Sequence, residues 1–231
     1  MIKIKQNILL AVDAVVFGYR NNHLVVLLIK QKYGSEKDKW ALPGGFVKDD
    51  ESLEEAVARE LKEETSITVN YLEQLYSFGS VSRDSRNRVV SVAYLGLINP
   101  DHVTIEADSD ASDVAWFKIN ELPKLAFDHC EIVQKAIERL KSKINYQPIG
   151  FELLATKFPF SDLENLYQTI LGQSIDRRNF RKKLNSFGLL IELEEYHKST
   201  GSGRPGKLFM FDKAKYQAFT KAGFMFEIKF A

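Results

Sequence analysis

Just after the tight turn Leu42-Pro43-Gly44-Gly45 the chain must supply a helix that carries carboxylates at Glu60, Glu63 and Glu64, spaced i, i+3 and i+4. That spacing stacks the three acids on one helical face. The helix is predicted to start near Ser52, with Glu55 three residues on completing a capping box, and to run to about Thr65. Leu53, Ala56, Val57 and Leu61 recur at helical spacing and are expected to face a core. Glutamates concentrated this way offer oxygen ligands to a hard divalent cation such as Mg2+. Three glutamates alone also describe an ordinary solvated face paired with Lys48 or Lys62. Gly45, Glu51 and Arg59, in register with them, ask for a more specific reading.

Strand-like and helical stretches alternate around this helix. Ile8 to Phe17 and Leu24 to Ile29 flank the hairpin signal Tyr19-Arg20-Asn21-Asn22. Further strands are predicted at Ile67 to Tyr71, Leu75 to Val81, Val89 to Ile98 and Val114 to Lys118. A second amphipathic helix is predicted from about Cys130 to Lys143. The order implies an α/β fold, a sheet sandwiched by helices. The pattern Gly45-x5-Glu51-x7-Arg59-Glu60-Leu61-x-Glu63-Glu64 resembles the Nudix box, the signature of a superfamily that hydrolyses nucleoside diphosphates linked to another group. That resemblance implies that Glu60, Glu63 and Glu64 hold the metal, that Arg59 orients them, and that the Gly44-Gly45 turn lets backbone approach metal and phosphate. Ser66 stands where the family pattern has glycine, at a position expected to be left-handed, where Ser costs about 1 kcal/mol.

The segments Phe78 to Arg86, Val89 to Tyr94 and Phe127-Asp128-His129 are similar to the ADP-ribose pyrophosphatase branch of that superfamily. Arg83 and Arg86 are then candidates to pair with phosphate, or else two arginines of an exposed polar loop. His129 is placed at a pocket mouth or at the start of the following helix, with Asp128 the simpler N-cap. Trp40 and Phe46 are candidates to stack on a ligand ring, though buried packing is the commoner fate of such aromatics.

Past Asn145 to Gly150, a Pro- and Gly-punctuated linker, the texture changes. Ser161-x-x-Glu164 reads as a capping box opening a helix to about Leu171, and a second helix is predicted from about Ile175 to Phe187, stopped by Gly188. Two β-like runs follow, Leu189 to Tyr196 and Lys207 to Phe211, around a Gly-rich tip. Five basic residues fall between Arg177 and Lys183, and Phe180, Leu184 and Phe187 share the opposite stripe. Arg177, Arg178, Asn179, Arg181, Lys182 and Lys183 are thus candidates to contact DNA, with Arg204 and Lys207 near the hairpin tip. Charge follows the same division: residues 146–231 carry 13 Lys and Arg against 9 Asp and Glu, the rest of the chain 19 against 22.

Asn179 to Leu184, with Gly203-Arg204-Pro205, is similar to the winged-helix half of the Nudix-related transcriptional regulators. The resemblance implies a Nudix-fold effector-sensing domain over residues 1–145 and a winged helix-turn-helix DNA-binding domain over 150–231. It further implies a homodimer on a double-stranded operator, with a sugar or nucleotide-sugar effector such as arabinose or ADP-ribose, controlling sugar-utilisation or NAD-metabolism genes. The alternative is an active Mg2+-dependent ADP-ribose or nucleotide-sugar pyrophosphatase. The longest apolar runs are too short to span a bilayer, which argues against a membrane partner. One cysteine, Cys130, fits a cytoplasmic setting and is expected to be a buried thiol.

Overall fold

The computed structural model describes residues 7–108, 110–197 and 206–223, in two compact units: residues 1–20 with 24–138, and residues 21–23 with 139–231. In the first unit, β1 (Leu9–Arg20) is the central strand of a seven-stranded sheet. It runs parallel to β6 (Val89–Leu97), from Leu9↔Val89 to Phe17↔Leu97. Around this pair lie β2 (His23–Gln31), β3 (Trp40–Ala41), β4 (Gly44–Phe46), β5 (Tyr71–Phe78) and β7 (Ala111–Lys118), in a sheet whose main path is β3-β2-β1-β6-β5. β4 joins β1 and β7 joins β2, both antiparallel. Asn21 and Asn22, both at positive φ, make the hairpin turn; asparagine tolerates this conformation where most residues do not.

Helix α1 (Leu53–Thr65) covers one face of this sheet. Ala56, Val57 and Leu61 bury against Val12, Ala14 and Val16 of β1 and Val92 and Tyr94 of β6, with Leu53 at the margin. The expected capping box is present: Ser52 Oγ accepts from the Glu55 N–H and a Glu55 carboxylate oxygen accepts from the Ser52 N–H. Ser66 ends the helix at φ 60, left-handed as expected, its N–H donating to the Lys62 carbonyl. Helix α2 (His129–Lys143) buries Ile132, Val133 and Ala136 and exposes Cys130, against the expectation of a buried thiol.

Two strand boundaries differ from expectation. Ile67 to Tyr71 is not a strand: β5 begins only at Tyr71, because Ile67 and Val69 plug the core under α1 without reaching a partner backbone. Their alternation reports burial alone. β5 then ends at Phe78, and Val81 is exposed.

The second unit threads β8 (Phe158–Pro159), α3 (Phe160–Leu171), α4 (Arg177–Phe187), β9 (Leu190–Tyr196), β10 (Lys207–Phe211) and α5 (Lys213–Lys221). Its sheet has the order β8-β10-β9. The capping box expected at Ser161 does not form. Phe158 and Pro159 pair with β10, and α3 starts directly at Phe160 without a side-chain cap. α4 starts later than expected, with Asp176 as N-cap accepting from the Asn179 N–H at 2.7 Å, while Ile175 is buried ahead of it. Gly172 and Gly188 end α3 and α4 in the left-handed conformation. Aromatic rings fill this small core: Phe151 stacks on Phe211 at 3.8 Å between centroids, and Phe160 meets both Phe180 and Phe209. No helix among the described residues is long and apolar enough to cross a membrane.

Ser66→Gly removes the left-handed strain without touching any side-chain contact of α1. We expect it to raise the thermal midpoint of the first unit by about 2–4 °C, read by calorimetry, since about 1 kcal/mol shifts a domain of this size by that much.

Candidate functional site

Helix α1 and the Leu42–Gly45 turn constrain each other at close range. A Cβ on Gly44 would lie 2.2 Å from the Val12 carbonyl oxygen of β1, so that position admits no side chain, and one on Gly45 would lie 2.3 Å from Glu60 Oε1 and would have to displace that carboxylate. The Gly44 N–H donates to Glu64 Oε2 at 2.8 Å. Arg59 ties the acids together. It donates twice to Glu51 (2.8 and 2.6 Å), once to Glu60 (2.7 Å), once to Glu63 (3.2 Å) and once to the Phe46 carbonyl (3.2 Å). The hydrogen bonds from Arg59 hold the Glu51 carboxyl down at about 2. Glu60 goes the other way: burial raises it, against the pull of Arg59. Glu64 is pushed to about 8, by burial first and then by the charges of Glu60, Asp110 and Asp13, although the Gly44 N–H opposes this.

The turn, Arg59, Glu60 and Glu64 border a cavity of about 540 Å³. Of the residues expected to contact an effector, Gly44, Gly45, Phe46, Arg83, Arg86 and His129 line it. Trp40 does not; it packs edge-on against Phe117, 4.6 Å between centroids. Arg59, Glu60 and Glu64 also face the cavity, whereas the Glu63 side chain is 45% exposed and stands outside the lining. Among the described residues no three acidic, His or Cys side chains converge as a ready-made metal site. Even so, the donor chemistry suits a hard divalent cation at Glu60 and Glu64: buried carboxylate oxygens crowd together there, and Gly45 leaves room beside them.

The far wall of the cavity is a buried polar network. Arg83 is not in an exposed loop: its side chain is 6% accessible and makes a bidentate pair with Asp128 at 2.9 and 2.8 Å, with a third bond to Asp13 at 3.2 Å. Burial alone would lower its pKa, but these two carboxylates raise it. The Asp128 carboxylate is thus committed to Arg83. His129 is buried at the start of α2, its Nδ1 accepting from the Leu42 N–H at 2.8 Å. The ring proton therefore sits on Nε2, 3.4 Å from Asp13 Oδ1, and burial depresses the pKa of the ring. Arg86 pairs with Asp84 at 2.7 Å and lies 5.7 Å from the centroid of the Phe127 ring. Sequence reasoning passed over Asp13, although a lone acid inside the apolar run Leu9 to Phe17 was a signal for it.

In the second unit α4 divides its cations into two groups. Arg177 pairs with Glu164 at 3.0 Å, the Arg181 guanidinium lies over the rings of Phe160 (5.1 Å) and Phe209 (5.6 Å), and the Lys183 ammonium lies over Phe187 (5.3 Å). These three flank the buried stripe of Phe180, Leu184 and Phe187. Arg178, Asn179 and Lys182 are exposed on the outward face, and neither Arg178 nor Lys182 makes an ion pair among the described residues. Asn185, one turn beyond Lys182 and also exposed, joins this face unanticipated. Lys207 is held by Glu192 at 2.7 Å and Glu194 at 3.3 Å, and Lys157 by Glu195 at 2.6 Å, so β9 presents an acidic edge. Arg204 lies outside the described residues.

Comparison with known proteins follows the same division. Residues 8–139 match the NUDIX domain model and residues 150–211 the NrtR DNA-binding winged helix domain. A protein of Acinetobacter baylyi named ADPR responsive transcriptional repressor NtrR is 34% identical over 213 residues, 90% of this chain and 84% of that one. The chain belongs to the NrtR family. Shewanella oneidensis NrtR, crystallised with a 27mer DNA, superposes with a TM-score of 0.80 at 34% identity, covering 90% of this chain and 95% of that one. The NUDIX domain of the same Shewanella protein, crystallised with ADP ribose, matches at 38% identity and a TM-score of 0.55, over 59% of this chain and 90% of that one. The family architecture is a mixed α/β Nudix domain followed by a winged helix, and this chain shows both.

With its pKa raised to about 8, Glu64 stabilises the fold fully below its unfolded value near 4.5, and the contribution is lost as pH rises through 8. In chelator, the wild type should lose thermal stability between about pH 4.5 and 8. Glu64→Gln should flatten that slope; an unchanged slope in the variant would show that Glu64 is not its source.

Proposed function

We propose that this chain is a homodimeric transcriptional repressor whose Nudix domain binds ADP-ribose and thereby changes the affinity of its winged helix for operator DNA. The observation that carries the reading is the union in one chain of an arginine- and glutamate-lined cavity with an outward Arg178–Asn179–Lys182 face, in the order found in relatives named for ADP-ribose response and crystallised with DNA. Of the effectors left open by the sequence, a nucleotide sugar is favoured over free arabinose, because the cavity offers Arg86 and the Gly44-Gly45 backbone to phosphate and exposed Phe46 to a base. ADP-ribose is NAD without its nicotinamide, so NAD-metabolism genes are the fitting targets. Two α4 helices related by a dimer axis would read a palindromic operator, as helix-turn-helix pairs do. The reading places the protein in the cytoplasm, with its DNA.

On the DNA side Arg178 and Lys182 supply phosphate contacts, and Asn179 and Asn185 are placed for base edges. Arg181 and Lys183 close over the aromatic core instead. Regulation requires ADP-ribose to prefer one arrangement of the dimer, and a coupling of about 1–3 kcal/mol suffices for a response of about 5- to 150-fold.

A second reading, an ADP-ribose pyrophosphatase, is favoured by the intact Arg59, Glu60, Glu63 and Glu64. A divalent metal such as Mg2+ held by Glu60 and Glu64, with Glu63 beside them, would supply charge neutralisation at the diphosphate. Metal-dependent release of AMP, abolished by Glu63→Gln, would establish it.

The test is fluorescence anisotropy on DNA upstream of this gene and its neighbours, with the full chain. ADP-ribose should weaken binding about tenfold or more, while no change at saturating ligand would overturn the effector role. Arg178→Ala/Lys182→Ala should lower affinity and make the salt slope shallower by about 2. Arg181→Ala should instead lower the thermal midpoint and leave the salt slope unchanged, the expected result if its partner is an aromatic ring; a slope shallower by about 1 would show a lost phosphate contact.

A further inference from the structure

Three of the described helices begin directly after an aspartate: α2 after Asp128, α4 after Asp176 and α5 after Asp212. Asp176 and Asp212 use their carboxylates as caps, each accepting from the N–H three residues on, at 2.7 and 2.9 Å. Asp128 does not. Both of its carboxylate oxygens accept from Arg83, at 2.9 and 2.8 Å. The Glu131 N–H, which a cap would serve, donates to the Asp128 carbonyl oxygen at 2.9 Å instead. We propose that Asp128 is a two-position switch: it grips Arg83 while the cavity is empty, and it caps α2 once an anionic effector draws Arg83 away. Helix α2 then carries the change to the second unit. This inference rests on the effector reading above and supplies its means of regulation.

Asp13, Arg83 and His129 line the cavity, whereas Asp128 is outside the lining and is joined to it through Arg83. Arg83 also donates to Asp13 at 3.2 Å, so its guanidinium is already divided between two acids. A ligand anion in the cavity adds a competitor for the same cation. Asp128 has an alternative to turn to, because the free N–H groups and positive end of a helix both favour a carboxylate at the cap. Phe127, directly before it, has φ 49, which a bulky side chain disfavours. Such backbone persists where its surroundings impose it, and it clusters at segments that switch. The bidentate bond on the next residue supplies that constraint.

Helix α2 is built to pass the change on. It runs unbroken for 15 residues, about 22 Å, with Ile132, Val133, Ala136 and Leu140 buried. The division between the two units falls inside it, between Glu138 and Arg139. Its start answers to the cavity wall, through Asp128 on Arg83 and His129 on the Leu42 N–H, and its last turn belongs to the second unit. Unfastening Asp128 from Arg83 therefore acts on a stiff element that both units share, with no loop in between.

The decisive variant is Asp128→Ser, which keeps a capping oxygen and loses the charge that holds Arg83. It is compared with the wild type by fluorescence anisotropy on operator DNA and by isothermal titration with ADP-ribose, using the full chain in chelator. Locked in the liganded arrangement, the variant without ADP-ribose should bind DNA within about threefold of the wild type saturated with it. By reciprocity the variant should bind ADP-ribose about threefold or more tightly than wild type, whereas mere damage to the wall would weaken that binding. Gln134→Gly/Lys135→Gly softens the exposed middle of α2. It should keep each separate affinity within about threefold of wild type and lose most of the effect of ADP-ribose on DNA binding, which Gln134→Ala/Lys135→Ala should retain. Unchanged or weaker ADP-ribose binding by Asp128→Ser, DNA affinity equal to that of the unliganded wild type, or a full response in the glycine pair would each overturn the switch. A wild type whose DNA affinity ignores saturating ADP-ribose would instead bring down the effector reading, and the switch with it.

Discussion

A single guanidinium organises the first unit. Arg59 reaches Glu51 before the helix, Glu60 and Glu63 on it, and the Phe46 carbonyl in the strand before it. Without that cation, four acids within one helical turn of each other or of the loop would repel. With it, the Glu60 carboxylate is held against the loop, 2.3 Å from where a Cβ on Gly45 would lie. Glu64 is then carried inward, where burial and acidic neighbours leave its charge uncompensated except by one backbone N–H. The cavity is electrostatically unfinished on that side, a condition that a cation, a proton or a ligand's own donors would relieve.

Much of this was legible because it is local. The capping box at Ser52, the left-handed Ser66, the buried face of α1 and the stops at Gly172 and Gly188 all follow from interactions a few residues long. Where expectation and structure differ, tertiary partners decided. Ile67 and Val69 have the alternation of a strand but no strand beside them, and Ser161 has the signature of a cap but sits inside a helix that begins where β8 ends. The far wall of the cavity was hidden for the same reason: Asp13, Arg83 and Asp128 meet only because β1, the β5–β6 loop and the start of α2 are brought together. Trp40 was misplaced because an aromatic beside a glycine turn does not reveal which side of the turn it packs on.

The basic helix teaches a related lesson about charge. Counting cations from Arg177 to Lys183 treats them as equivalent, whereas helical spacing separates them. The cations on the flanks of the apolar stripe lie over aromatic rings or beside Glu164, and those diametrically opposite it are exposed, with no ion pair among the described residues. A long side chain next to a small aromatic core serves as a lid with a charged tip. Lys207 shows the same on β10, neutralised by the glutamates of the neighbouring strand.

Cys130 is the chain's only thiol, and it is exposed in the first turn of α2, directly after His129. A maleimide dye or spin label would therefore attach at one known place with no engineered cysteine. It would sit next to the residue that hydrogen-bonds the Leu42 turn and two positions from the carboxylate that holds Arg83. The native protein thus carries its own attachment point for an optical or magnetic reporter, one residue from the His129 wall of the cavity.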